Sequence, residues 1–194
     1  MKFKIFSYKS VTSTNDVAIN LIKKKKKEFG YVFAENQTKG RGTYGKKWIS
    51  KKGNLFGSIF FKLKKNYPPF NEFSIINPIL MTDVLSNFCE KKSITLKWPN
   101  DVFVNNKKIC GILQEHLTLD KKKFLIIGIG VNIISNPKIN KKYKTTNIFI
   151  ETNKKPTVKK VGKKIMSSYE KFFINLRSYS FRNYKRKAET MALN

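Results

Sequence analysis

An α+β fold, a largely antiparallel sheet flanked by helices, is the class that this 194-residue chain predicts. Three observations carry that expectation. Short apolar segments follow one another without the regular strand–helix alternation of a parallel sheet. Two of their junctions, Pro99-Asn100 and Asn105-Asn106, are short turn signals between apolar runs. Helical periodicity is confined to one segment near the N-terminus, one in the middle and two at the end.

Taken in order, KFKIFSY (2–8) predicts a first strand. A helix follows, with Thr12 or Ser13 as N-cap and Val17, Ala18, Leu21 and Ile22 on one face. Its basic end, Lys23–Lys27, complements the helix dipole. YVFAENQ (31–37) is a strand that enters a glycine-rich stretch, and Gly53-Asn54 opens another. In that second strand Leu55, Gly57, Ile59, Phe61 and Leu63 alternate onto one face. Residues 71–91 predict a core helix started or bent by Pro78. ITLKWP and DVFVN pair around Pro99-Asn100, and KKICGILQEHL returns after Asn105-Asn106. FLIIGIGVNI (124–133) is apolar enough for a central strand, and helices over 157–176 and 180–192 complete the domain. The lysine runs 23–27, 121–123 and 141–142 mark exposed turns.

Composition excludes several classes. With 40% hydrophobic and 13% aromatic residues the chain can bury a core, and it contains no apolar run of membrane-spanning length. Cys89 and Cys110 lie in different predicted elements with no CxxC, against a disulfide framework or zinc site. A cytoplasmic protein is expected, with no signal peptide and no membrane partner. The net charge of +29 invites a nucleic-acid reading, but only Arg41, Arg177, Arg182 and Arg186 among the 41 basic residues are arginines. Base-edge readout favours the guanidinium fork, so weak adhesion to polyanions is expected and no specific nucleic acid.

Four constellations could carry chemistry. In TKGRGTYGKKW (38–48), Gly40, Gly42 and Gly45 permit positive φ and close backbone approach, and Arg41 adds a bidentate fork for an anion. Read by itself, the stretch is equally a mobile hairpin loop. In KWPND (97–101), Lys97 closes a predicted strand, Pro99 stiffens the chain beyond it, and Asn100 and Asp101 offer oxygens; alone this is a β-turn with a core tryptophan. In GIGVN (128–132) two glycines inside a strand imply close approach by a ligand or another chain segment, or a bulge. Ser13, Thr14 and Asn15 at a helix start could bind a polar ligand or cap the helix. His116, the only histidine, has no nucleophile motif beside it and is read as structural.

In this order and spacing, STN, QTKGRGTYGKKW, KGNL, KWPNDVFVNNKKICGILQE and GIGVN closely resemble the catalytic domain of biotin protein ligases. The resemblance covers residues 5–135 well and the terminal helices loosely. It implies a fold related to class II aminoacyl-tRNA synthetases, in one catalytic domain over 1–194. It also implies a two-step reaction: biotin and ATP yield biotinyl-5'-AMP, and a lysine of a biotin carboxyl carrier protein then takes the biotinyl group. Residue by residue, it makes Lys97 and Arg41 catalytic. It assigns Ser13, Thr14, Asn15, Gln37, Arg41, Gly42, Thr43, Lys97 and Gly111 to biotin. Gly40, Lys46, Trp48 and Asn132 fall to ATP and the adenylate, with Trp48 a wall for adenine and Asn132 an oxygen ligand for Mg2+. A homodimer is compatible with the resemblance.

The chain departs from the family's usual Gly-Arg-Gly-Arg-x-Gly-Arg-x-Trp run. Thr43 stands where a second basic residue is common and Lys46 where the last arginine is. Weaker retention of the adenylate is the expected consequence. Neither the N-terminal helix-turn-helix nor the C-terminal SH3-like domain of some relatives is expected. The alternatives are a lipoate or octanoyl ligase, whose RRxxGGGxVxHD-like segment is missing, a basic nucleic-acid-binding module, and a decayed ligase that binds biotin without turnover.

Overall fold

The structure is a computed structural model describing residues 2–137 and 144–193. The lysine pair 141–142, expected in an exposed turn, lies outside the described residues. Seven strands form one sheet: β1 (Ile5–Val11), β2 (Phe29–Gln37), β3 (Leu55–Lys62), β4 (Ile94–Lys97), β5 (Asp101–Val104), β6 (Lys107–Leu119) and β7 (Lys122–Val131). Their order is β1-β2-β3-β7-β6-β5-β4. Every pairing is antiparallel except β1 with β2, which run parallel because α1 (Thr14–Lys25) carries the chain back across the sheet between them. The first strand therefore starts and ends three residues later than its apolar pattern predicts.

The period of two along β3 and β7 explains the layers. Phe60 and Ile126 face α1 with Ala18, Leu21, Ile22, Val32 and Phe124. Ile59, Phe61, Leu125 and Ile127 face the larger cluster built with α2 (Phe73–Leu85), α4 (Val158–Ile174) and α5 (Phe181–Thr190). The alternation expected of β3 holds, with Leu55, Ile59, Phe61 and Leu63 sharing the larger cluster, and the residues between Leu55 and Phe61 are buried as well, since a central strand is covered on both sides. Among the described residues no helix is long and apolar enough to cross a membrane.

The hairpins follow their turn chemistry. Asn105 and Asn106 (φ 48° and 58°) and Asp120 and Lys121 (φ 50° and 60°) are consecutive left-handed pairs, the geometry of tight primed turns. Only Lys121 of the 121–123 run is in the turn; Lys122 and Lys123 belong to β7. Helix α2 is shorter than expected, and Pro78 lies inside it rather than at its start. Its end is set by side chains that capture carbonyls: Ser86 Oγ donates to Asp83 O, and Asn87 Nδ2 donates to Asp83 O and Val84 O. Thr157 and Ser180, where the last two helices were expected to begin, are the N-caps of α4 and α5, accepting from Lys160 N and Asn183 N. The short α3 (Ile148–Thr152), capped by Asn147, was not anticipated.

Two fold details position the site. After α5 the chain lies along β4, with Leu96 N–H donating to Met191 O and Leu193 N–H to Leu96 O, each 2.7 Å, so β4 is bonded on both edges just before Lys97. Asn54 is buried, and its Oδ1 accepts from the backbone N–H groups of Ile133, Ile134 and Ser135 (2.9, 3.2 and 3.3 Å), which fixes the turn after Asn132. Removing that acceptor strands three donors at once. Asn54→Ala is expected to lower the unfolding free energy in urea by about 3 kcal/mol, and Asn54→Asp, which keeps an oxygen there, by less.

Candidate active site

A cavity of about 330 Å³ opens where the start of α1, the 41–48 segment, β6, β7 and the β4–β5 turn converge. One end is a neutral polar corner. Ser13, Thr14 and Asn15 are buried there. Ser13 occupies the N-cap position, yet its side chain makes no capping bond. Instead Gln37, at the end of β2, accepts from Thr14 N (2.8 Å) and Thr14 Oγ1 (3.2 Å), and its amide donates to Ser50 Oγ (3.1 Å). The Ser58 hydroxyl lies within hydrogen-bond distance of Thr14 Oγ1 and Asn15 Oδ1. The capping explanation of the STN motif is thus corrected: these oxygens belong to a network with β2 and β3. Ser58 and Ser50 were missed because isolated serines carry no sequence signal.

The glycine-rich stretch is an ordered hairpin. Arg41 and Lys47 form an antiparallel bridge, with Gly42 N–H donating to Lys46 O (2.7 Å) and Trp48 N–H to Gly40 O (2.9 Å). Of the three glycines only Gly45 has positive φ (71°), and the neighbouring Tyr44 shares the left-handed region at 54°. Gly40, expected at the adenylate, is not among the residues that line the cavity, though the adjacent Arg41 and Gly42 are. A Cβ on Gly40 would sit 2.6 Å from Trp48 O, so its smallness lets the hairpin close on itself.

Trp48 explains the glycines of the sheet. Gly111 and Gly130 are cross-strand partners in β6 and β7, and the indole lies on both. A Cβ on Gly111 would meet the ring at 2.5 Å and one on Gly130 at 2.3 Å; a Cβ on Gly128 would meet Asn15 Oδ1 at 2.5 Å. The close approach inferred from GIGVN is therefore made by Trp48 and Asn15. The Trp48 Nε1 atom is buried, with no hydrogen-bond partner among the described residues.

The other end of the cavity is cationic. Lys97 closes β4 in register with Asp101. Lys108, absent from the sequence-based candidates, has its ammonium 2.7 Å from Asp101 Oδ1 and 5.6 Å from the Trp48 ring centre. Among the described lining residues Arg41, Lys46, Lys47, Lys97 and Lys108 are basic and Asp101 alone is acidic, a balance that selects anions. Asn132 is buried with its Nδ2 donating to Thr146 O (3.0 Å), which leaves Oδ1 as the acceptor for a ligand. No group of three or more His, Cys, Asp or Glu that could hold a metal occurs among the described residues. Asn132 and Asp101 accordingly fit a magnesium ion only as one carried in by phosphates.

Arg41 departs from its expected use. Its Nη1 donates to Glu115 Oε1 (2.7 Å), and its Nη2 donates to Glu115 Oε2 and Asp16 Oδ1 (2.8 Å each). The fork assigned to an anionic ligand is occupied by two carboxylates. Partial burial works against the charge, but Glu115 and Asp16 outweigh it and raise the guanidinium's pKa above its usual value.

Residues 7–132 match the model of the Biotin/lipoate A/B protein ligase family. The chain belongs to this family. It is 34% identical over 126 residues to the bifunctional ligase/repressor BirA of Escherichia coli, covering 63% of this chain and 38% of that protein. It is 30% identical over 109 residues to the biotin–[acetyl-CoA-carboxylase] ligase of Paracoccus denitrificans, covering 55% and 45%. The matches thus span less than half of these curated relatives. Among solved structures of the family, the biotin protein ligase of Aquifex aeolicus in complex with biotin and ATP superposes with a TM-score of 0.80 and 30% identity, covering 98% of this chain and 78% of that one. The Leishmania major enzyme with biotin gives 0.82 at 24% identity, covering 98% and 82%, a likeness of fold.

The Trp48 contacts generate a specific expectation. Gly130→Ala should push the indole off the sheet, red-shift its fluorescence in a Trp98→Phe background, and lower stability by about 2 kcal/mol.

Proposed function

We propose that this chain is the catalytic domain of a biotin–protein ligase. In the first step a biotin carboxylate oxygen attacks the α-phosphorus of ATP, forming biotinyl-5'-AMP as pyrophosphate leaves. In the second, an amine of a carrier-protein lysine attacks the acyl carbon, forming the amide as AMP leaves. The observation that carries this reading is a single cavity that joins the neutral hydrogen-bonding corner of Thr14, Asn15 and Gln37 to a cationic end at Lys97 and Lys108.

The physics of the first step favours that arrangement. Two unit anions 4 Å apart repel by about 1 kcal/mol in water and about 4 kcal/mol at an effective dielectric near 20. The Lys97 ammonium, held at a strand end, offsets this repulsion without covalent attachment. A neutral ureido head needs paired donors and acceptors, which suits the corner at the start of α1. Arg41, Gly42 and Thr43 line the cavity, where they would limit access of water to the mixed anhydride. Magnesium bound to the triphosphate would supply charge neutralisation for the leaving pyrophosphate, with Asn132 and Asp101 as the nearby oxygens.

Biotin carboxyl carrier protein is the acceptor on this reading, and the reducing cytoplasm is the compartment. Free Cys89 and Cys110 suit it: burial pushes the Cys89 thiol up to about 11 and Cys110 higher, so both stay protonated and inert.

Incubation with biotin, Mg-ATP and a carrier domain tests the proposal. Wild type is expected to biotinylate the carrier, and Lys97→Ala to lose at least about 100-fold in rate; equal rates would remove Lys97 from the chemistry. Thr43 brings no charge to the cavity, so Thr43→Arg is expected to slow release of the adenylate by about tenfold. Identical leakage from both proteins would contradict the role given to this position.

A further inference from the structure

The hydrogen bonds around Arg41 carry more than a correction. Asp16 and Glu115 bring two negative charges to one guanidinium, so the cluster as a whole is anionic and cannot attract a phosphate as a bare arginine would. Three elements meet there: α1 through Asp16, the hairpin through Arg41 and β6 through Glu115. Glu115 Oε2 also accepts from Asn15 Nδ2 at 2.7 Å, which joins the cluster to the polar corner. Within the hairpin the flanking bonds are Gly42 N–H to Lys46 O and Trp48 N–H to Gly40 O, so Arg41 and Lys47 are a non-hydrogen-bonded pair. The Arg41 N–H therefore lies outside the hairpin's own ladder, beside the cavity it lines.

We propose that Asp16 and Glu115 are positioning residues, which hold the Arg41 side chain as a latch so that the hairpin backbone, and not the guanidinium, meets the ligand. Arg41 then acts through where it is fastened. The bond from Asn15 to Glu115 makes the latch part of the same network that faces the neutral end of the ligand, so loosening it should weaken that end before it weakens nucleotide binding. The effect on adenylate retention rests on the ligase reading; the effect on the hairpin does not.

Amide hydrogen exchange and kinetics together test this on the full chain. Without added ligand, Glu115→Gln and Arg41→Lys are each expected to speed exchange at Gly42 and Trp48 by about tenfold. Exchange at Phe60 and Ile126, in the β3–β7 core, should stay at the wild-type rate. In turnover with biotin and Mg-ATP, Glu115→Gln should raise KM for biotin and the adenylate release rate by about tenfold while KM for ATP holds. The double variant should be no worse than the worse single variant, because both break one contact. Asp16→Asn, at a half-exposed position, should show the same pattern at smaller size and stands in if either other variant does not fold. Unchanged exchange at Gly42 and Trp48 would overturn the latch. Additive losses in the double variant, or a rise confined to KM for ATP, would also overturn it by assigning the guanidinium to the ligand. Faster hairpin exchange in a protein whose wild type makes no biotinyl-adenylate would leave the latch standing and the ligase reading refuted.

Discussion

Trp48 lies on Gly111 and Gly130, a cross-strand pair at which any side chain would occupy the space of the indole. That contact brings the 41–47 hairpin down onto the sheet and determines how the cavity is roofed. Placing glycine at both positions costs strand stability, since a glycine in a strand interior weakens it. Here the loss is local and offset by the buried indole face. Trp48 also lines the cavity, and among the described residues its buried Nε1 has no hydrogen-bond partner. A contact of shape alone thus organises a site whose chemistry is electrostatic.

Around that contact the elements divide the work. The sheet supplies rigid points: Lys97 from β4, Asp101 from β5, and Lys108 and Glu115 from β6. Helix α1 supplies the buried start that carries Thr14 and Asn15, with Gln37 of β2 satisfying Thr14 N–H. Surface ion pairs contribute little in general, and the Arg41 cluster is partly exposed. Its geometry is nonetheless bidentate and shared by three elements, which makes it a device of position more than of stability.

Periodicity and turn chemistry announced most of the architecture. The Asn105-Asn106 turn, the Thr157 and Ser180 caps and the apolar run of β7 all stand where their residue types require. Order and spacing of the motifs also gathered Ser13, Thr14, Asn15, Gln37, Lys97 and Trp48 around one cavity. What escaped were relations between distant residues. The Arg41 fork looked available because the sequence does not show that Asp16 and Glu115, 25 and 74 positions away, close on it. The glycines of GIGVN pointed to close approach, yet nothing in their neighbours named Trp48 as the visitor. Lys108 was hidden by composition: in a chain this rich in lysine a single half-buried one has no mark. Gly40 and Gly42 were read as allowing positive φ and close approach to a ligand; neither has positive φ, and the close approach is to Trp48 O and Lys46 O within the hairpin.

The central claim is that one cavity, neutral at one end and cationic at the other, joins a carboxylate to a nucleotide. Pyrophosphate release measured in a single turnover, with biotin, lipoate or octanoate each added to the protein and Mg-ATP, tests it most directly. A burst that requires biotin, with the acyl-adenylate retained on the protein, is the outcome this account predicts. A burst with lipoate or octanoate and none with biotin, or no burst with any of the three, would contradict it.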